Sequence, residues 1–512
     1  MDPHCISSMT SSSSLILRIH RISHGFTVYP TKARIHLTNR RVFFKFNVNY
    51  GSGCQWRKKK KTLLTQRIYT AKSKREQLEG KEEAAAAEVI GKKGTIAGAV
   101  ALIVGTSIGS GILALPQKAS PAGILPSSIS MIICWGFLLI EALLLVEVNV
   151  GLRRKNKRKK EEESELEVIS IRTMAQETLG DWGGTVATVT YVFLGYTTMI
   201  AYSSKSGEIL FHLVNLPESV SAFIFTAIFT LLISVGGTRA TDQVNQWLTA
   251  SMIGLLLAIE ALAAAFGGWS GLGGNGDWGK VPATIPVMIF SLVYHDLAPV
   301  LCAYLDGDLT RLRASILLGS LVPLFALLFW DAIALGLSAQ ANQITDPVEL
   351  LLSVSWGGVP FMVQAFSLLA VGTSLIGTLL GFSEFFKEQL KKLHWYSLSQ
   401  QRADKHNGQT NWWGRNKINF TAMAMAVTPS LLVSTAIPDA FSEATNVAGG
   451  YCMTVLYGVL PPAMAWAMHG KEGDGPDHKA LSGKKPALVG LGLFACGIVL
   501  EQILQDLMAL QF

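Results

Sequence analysis

The sequence predicts an all-α integral membrane protein with about eleven transmembrane helices. Three observations carry that reading. Of 512 residues, 49% are hydrophobic and only 16% are charged, against about a quarter charged in an ordinary soluble domain. From residue 94 onward, apolar stretches of about twenty or more residues recur between short loops. Two of those stretches carry glycines or ionisable groups in their middles, which a passive span does not need. The composition excludes a disordered chain, and the 48 glycines follow no Gly-X-Y period, which excludes collagen. Cys5, Cys54, Cys134, Cys302, Cys452 and Cys496 are scattered and form no CxxC pair, which argues against a zinc knuckle or a disulfide scaffold.

The formal net charge of +8 is unevenly placed. Residues 1–75 hold about sixteen Lys and Arg and one acidic residue, Asp2. They are rich in serine (Ser7, Ser8, Ser11 to Ser14) and contain neither a spanning segment nor a secretory apolar core. That describes an organelle transit peptide. A plastid is favoured over a mitochondrion, because the start is hydroxylated rather than an Arg-rich amphipathic helix. The other reading is a disordered basic tail, with Arg57–Lys61 able to meet anionic lipid or nucleic acid. With the charge assigned to targeting, no nucleic-acid partner is expected. Residues 76–93 read as a helical or flexible linker, and 94–508 as the membrane domain. Beyond residue 75 the chain is slightly acidic.

The expected spans are 94–116, 123–150, 183–206, 219–237, 244–267, 283–305, 314–340, 359–386, 416–437, 440–468 and 486–508. Backbone groups in lipid need internal partners, so each should be a helix. The alternating pattern of a membrane β-barrel is absent. If the N-terminus lies inside, the loops 151–182, 238–243, 306–313, 387–415 and 469–485 are internal and carry about 22 Lys and Arg with their margins. The opposite loops carry Lys118, Lys205 and Lys280. The block Arg153–Lys160 is expected in a solvated loop, and Trp412 and Trp413 at a membrane–water boundary.

Span one reads Gly105-Thr106-Ser107-Ile108-Gly109-Ser110-Gly111, ending at Pro116. Each glycine costs about 1 kcal/mol relative to alanine in a helix, so the segment should unwind near Pro116 and line a cavity. Freed amides could hold a carboxylate and freed carbonyls an ammonium or a cation. Close helix packing through Gly105 and Gly109 is the plainer alternative. Span six reads Ser291-Leu292-Val293-Tyr294-His295-Asp296-Leu297-Ala298-Pro299. An ionisable residue in the membrane is a functional candidate by default. His295 could carry a proton or serve structurally on a carbonyl. Breaks in spans one and six fall at matching places of two five-helix halves, the pointer to an inverted-repeat transporter with its site near the midplane.

The segments GTSIGSGILALP, IPVMIFSLVYHDLAPVLCAYLDGDLTRLR and VGTSLIGTLLGFSEFF resemble the hydroxy/aromatic amino acid permeases, which include bacterial tyrosine- and tryptophan-specific permeases. The resemblance covers most of 94–468. It implies a five-plus-five inverted-repeat fold of the leucine-transporter type plus one extra helix, and proton-driven symport of aromatic amino acids. The targeting segment makes the chain look like a plastid version, placed in the inner envelope with its mature N-terminus in the stroma; the mitochondrial inner membrane is the alternative. Asp296 departs from the family pattern, where a small residue is expected. Glu147 matches an acidic position of the family and reads as a gating or relay carboxylate or as a membrane-edge anchor. In sodium-coupled members of this fold, span eight supplies hydroxyls to a cation. Thr373 and Ser374 are placed for that, although a hydroxyl bonded to a carbonyl of its own helix four residues back is the slightly favoured reading. Tyr191, Tyr196 and Tyr202 could stack on an aromatic substrate or simply pack.

The expected binding set is therefore Gly105, Thr106, Ser107, Gly109, Ser110, Gly111, Ser291, Tyr294, His295 and Asp296. The coupling candidates are His295, Asp296, Glu147, Thr373 and Ser374. No cofactor beyond a coupling proton or sodium is expected, and nothing specifies an oligomeric state. The competing classes lose on motif. No HExxH marks a metalloprotease, no Walker A loop a pump, and no repeated filter sequence a channel.

Overall fold

The computed structural model describes residues 94–159, 169–265, 276–340, 358–401, 412–437, 440–469 and 485–509. The expected transit peptide, the linker, the side chains of Trp412 and Trp413, and Pro438 lie outside the described residues. All regular secondary structure among the described residues is helical, without strands. Span one consists of α1 (Ile96–Ser107) and α2 (Gly111–Ala119), bent by 57°. Span two is α3 (Ile124–Lys159), followed by the short α4 (Ile171–Leu179). Span three is α5 (Asp181–Val214). Spans four and five lie within α6 (Glu218–Ala265). Span six consists of α7 (Ile285–Leu292) and α8 (Ala298–Tyr304), and spans seven to nine are α9 (Leu309–Gln340), α10 (Val359–Gln401) and α11 (Trp412–Ala436). Span ten runs through α12 (Ala440–Val447), two π-helical stretches (Ala448–Met453, Val455–Val459) and α13 (Leu460–His469). Span eleven is α14 (Lys485–Ala509).

Among the described residues, ten helices are long and apolar enough to cross a membrane, and the bent pair, taken as one span, makes eleven. The chain is a multi-pass membrane protein. Local chemistry sets the ends: Thr95 Oγ1 accepts the Gly98 amide at 3.0 Å and Ser170 Oγ the Thr173 amide at 3.2 Å, each satisfying an otherwise orphaned donor. Asn215, with φ 60°, ends α5 in the left-handed conformation that suits a helix C-terminus.

Three expectations need correction. Segment 151–159 continues α3 as helix, and 171–179 forms α4, so the expected loop 151–182 is partly helical. Residues 238–243 are helical rather than a loop: α6 spans 48 residues and holds both expected crossings, Glu218–Gly236 and Ala240–Ala263. Helix α10 likewise runs past 386 to Gln401. Helical hydrogen bonds close within the segment, so a helix continues past the apolar stretch wherever no residue stops it.

Burial separates centre from periphery. The apolar window of span six is 83% buried, and those of spans eight and ten 67%. Spans five and eleven are only 22% buried and present Leu257, Leu493 and Leu500 outward. Without a hydrophobic drive between helices in lipid, the bundle closes through small residues and shape. Gly195 lies against the Phe382 ring, Gly319 against Ile103, and Gly449 against the backbone of Pro286.

Candidate functional site

The first break is three residues, Ile108 to Ser110, and it lies before Pro116, not at it. Pro116 sits inside α2 and the helix continues through it. Proline withholds one amide, whereas Gly109 and its hydroxylated neighbours weaken the helix over a whole turn. Past the break, the amides of Ile112 and Leu113 turn to the carbonyls of Gly109 and Ser110 at 3.3 and 3.1 Å. In span six, Val293 is extended (φ −73°, ψ 130°) and His295–Leu297 form a single 3₁₀ turn. Pro299 occupies the first turn of α8, where a missing amide costs little. It starts the second half instead of opposing the His295 carbonyl, which accepts the Ala298 amide.

The two breaks meet. Ser291 Oγ donates to the Gly111 carbonyl at 2.9 Å or to Val287 of its own helix at 2.8 Å. A Cβ on Gly111 would lie 2.9 Å from Ser291 Cα, so only glycine permits this approach. Span eight closes on the same point: Ser374 Oγ accepts the Ser110 amide at 3.1 Å. The Tyr202 phenol of span three lies among the hydroxyls of Ser110, Ser374 and Thr378, with Asp296 near enough to act on it electrostatically. The Asp296 carboxylate is half-buried and meets the amides of Asp296 and Leu297, at the positive end of α8. Ser110, Ser374, Tyr202 and Asp296 thus bring one amide, three hydroxyls and one carboxylate to the junction of spans one, three, six and eight. Ser374→Ala removes one of these bonds, worth about 1 kcal/mol, and should weaken half-saturation of uptake by several-fold in a concentration series.

Other expected residues face elsewhere. Thr106 and Ser107 direct their hydroxyls to the carbonyls of Leu102 and Ile103 at 2.8 and 2.9 Å. Gly105 lies in the last turns of α1, before the break. Thr373 bonds to Ala370 O at 3.1 Å within its own helix. The His295 ring is fully buried, and its Nε2 lies 2.8 Å from the Leu138 carbonyl of span two. A carbonyl only accepts, so that nitrogen carries the proton. Tyr294 is buried beside it, the two rings 5.1 Å apart. Glu147 pairs with Arg313 of span seven at 2.7 Å. Near that end, Arg311 donates to the Gly94 carbonyl and Thr95 N bonds to Tyr304 Oη at 3.3 Å. Tyr191 and Tyr196 pack on Phe385 and Phe382 of span eight.

Sequence reasoning missed Tyr457. Its ring stacks on His295 at 5.3 Å and 28°, and its phenol feels Asp296 and Tyr191. It stands in the π-helical stretch of span ten, where the Leu460 amide reaches back five residues to Val455. Such wide turns often mark functional positions, but a lone tyrosine in an apolar span gave no signal. Thr378, one turn beyond Ser374, was missed for the same reason.

Two interrupted spans crossing at mid-bundle, with polar groups converging on the gap, define the class: a membrane transporter of the leucine-transporter fold, not an enzyme. The chain belongs to the tryptophan/tyrosine permease family, whose model matches residues 92–503. It is 29% identical over 310 residues to tyrosine-specific transport system 1 of Haemophilus influenzae, covering 58% of this chain and 74% of the relative. A tryptophan-specific transport protein of Pseudomonas aeruginosa is 24% identical, covering 82% and 97%. Glutamine transporter 2 of Aliivibrio fischeri is 25% identical, covering 57% and 75%. Among solved structures, MhsT in complex with L-phenylalanine matches with a TM-score of 0.52 at 15% identity, over 81% of this chain and 99% of that one. That likeness carries the fold.

Proposed function

We propose that this chain is a secondary active transporter of aromatic amino acids, tyrosine foremost, working by proton-coupled symport across an organelle membrane. One observation carries the reading: both interrupted spans place their free ends at a shared polar junction, with Tyr202 and Asp296 beside it. A zwitterion fits it. The substrate carboxylate would meet the amides at the start of α2, and the ammonium would meet Asp296 and carbonyls of the breaks. The aromatic ring would lie against Tyr202 and Phe290, which flank the junction with ring centroids 6.5 Å apart. Rocking of one half against the other then exposes the site to either side. His295, Asp296, Glu147, Thr373 and Ser374 remain the coupling candidates, with Ser374 and Asp296 nearest the junction. The basic, serine-rich segment 1–75 supports a plastid address, with the inner envelope and a stromal N-terminus favoured over the mitochondrial inner membrane.

The glutamine-transporting relative favours a second reading, a sodium-coupled or uncoupled carrier of another neutral amino acid. Purified protein in liposomes separates the two. Labelled tyrosine should enter faster under an imposed pH gradient, and tryptophan and phenylalanine should compete best among the twenty amino acids. Uptake indifferent to pH and driven by sodium, or competed best by glutamine, would replace the first reading with the second.

A further inference from the structure

Helix α3 carries a second acid, Glu141, whose surroundings differ from those of every group above. Its side chain has no exposed surface, and among the described residues no donor reaches either carboxylate oxygen. Contacts along α3 fix what stands at its height. On span seven, Trp135 Nε1 bonds to Ser320 Oγ at 3.1 Å and Glu147 to Arg313 at 2.7 Å, which brings Ile316 and Leu317 level with Glu141. On span six, Leu138 O meets His295 and Val146 O meets Cys302, which brings Ala298 and Pro299 level. On span ten, the Phe137 ring covers Gly458 and Gly151 faces Met468, which brings Pro461 and Pro462 level.

The residues at this height are apolar, and the three prolines have no amide hydrogen to offer. The titratable groups facing this height are His295 and Tyr457 on one side, and Cys302 and the Glu147–Arg313 pair on the other. None of them bonds to Glu141, and Phe494 covers span eleven's approach beside Phe137. An ionised carboxylate enclosed this way would lack any compensating partner for its lost hydration. A neutral acid needs only one acceptor.

Resting on the symport reading, we infer that Glu141 carries the proton that moves with the substrate. It holds that proton in the conformation described here. It releases it to water when rearrangement of spans six and ten opens its surroundings on one side, and takes one up again from water on the other. His295 links this acid to the substrate: its ring bonds to Leu138, one turn from Glu141, while the next residue is Asp296. Movement of the span-six break therefore disturbs both places together.

The test uses the full chain in liposomes. Glu141→Gln mimics the protonated acid and should fold, but the ratio of tyrosine uptake with and without a pH gradient should fall from several-fold to one. Glu141→Asp should restore part of the ratio. Independently of transport, infrared spectra of native protein at neutral pH should show a protonated-carboxyl stretch that Glu141→Gln lacks. Full gradient response in Glu141→Gln, or no such difference band, overturns the inference. A native protein that shows the band but no pH response overturns the symport reading, and with it the carrier role, while leaving Glu141 a protonated structural acid.

Discussion

Gly109→Leu is expected to abolish tyrosine uptake in reconstituted protein while leaving it folded and monodisperse. Gly109 sits in the three-residue gap between α1 and α2. A Cβ there would stand 2.8 Å from Ser374 Oγ, the atom that accepts the Ser110 amide. A leucine would drive that hydroxyl away and fill the junction where spans one, three and eight converge. It would also remove a glycine penalty of about 1 kcal/mol against helix formation, favouring a straighter span. The folded bundle should survive, because the atom met is the end of a small side chain and not backbone. Gly109→Ala should be milder, since a rotation of Ser374 relieves one methyl. Uptake by Gly109→Leu equal to the native rate would remove the span-one break from the transport site.

Gly449→Val should have the largest effect on stability. A Cβ at 449 would fall 1.8 Å from the Pro286 carbonyl oxygen and 2.7 Å from its carbon. Both are backbone atoms of the span that is most buried, so no side chain can move aside. Overpacking of this kind costs about 3 kcal/mol or more, and the melting temperature in detergent should fall on the order of 10 °C. Gly450→Ala meets Gln502 Cγ at 3.0 Å, the flexible part of a long side chain, and should cost less. Gly497→Ala, with nothing within 4 Å, should melt like the native protein. A native-like melt for Gly449→Val would show that spans six and ten do not pack as described.

These two glycines also show how much the sequence revealed. Gly109 stood out because it clusters with Gly105, Gly111 and hydroxyls in an apolar span. Gly449 did not, because its importance comes from a carbonyl more than 150 positions away. Span existence and order were legible for a plain reason: lipid imposes nearly the same demand on every crossing, so each must be long, apolar and helical. Helix ends beyond the lipid were less legible, as α6 and α10 show, because helices continue in water wherever nothing stops them. Among the site residues, the polar set in the two breaks was visible as a group, but its division was not. Ser110 and Ser291 turn toward the junction, whereas Thr106 and Ser107 turn back on α1. A rotation of 100° per residue decides between these fates, and only the neighbouring helix sets which side is inward.

By itself the sequence determined a multi-pass helical bundle, interrupted in its first and sixth spans, with the permease motifs in order. Those properties are local, since hydrophobic length, glycine content and proline act within one segment. The tertiary structure decided the rest: that Ser374 and Tyr202 join Ser110 at the break, that His295 serves a carbonyl of span two, that Glu147 meets Arg313, and that Glu141 is enclosed without a donor. Each of these depends on which helices are neighbours and how they are rotated. In a bilayer that choice rests on close packing of small residues between distant segments, and no single segment contains it.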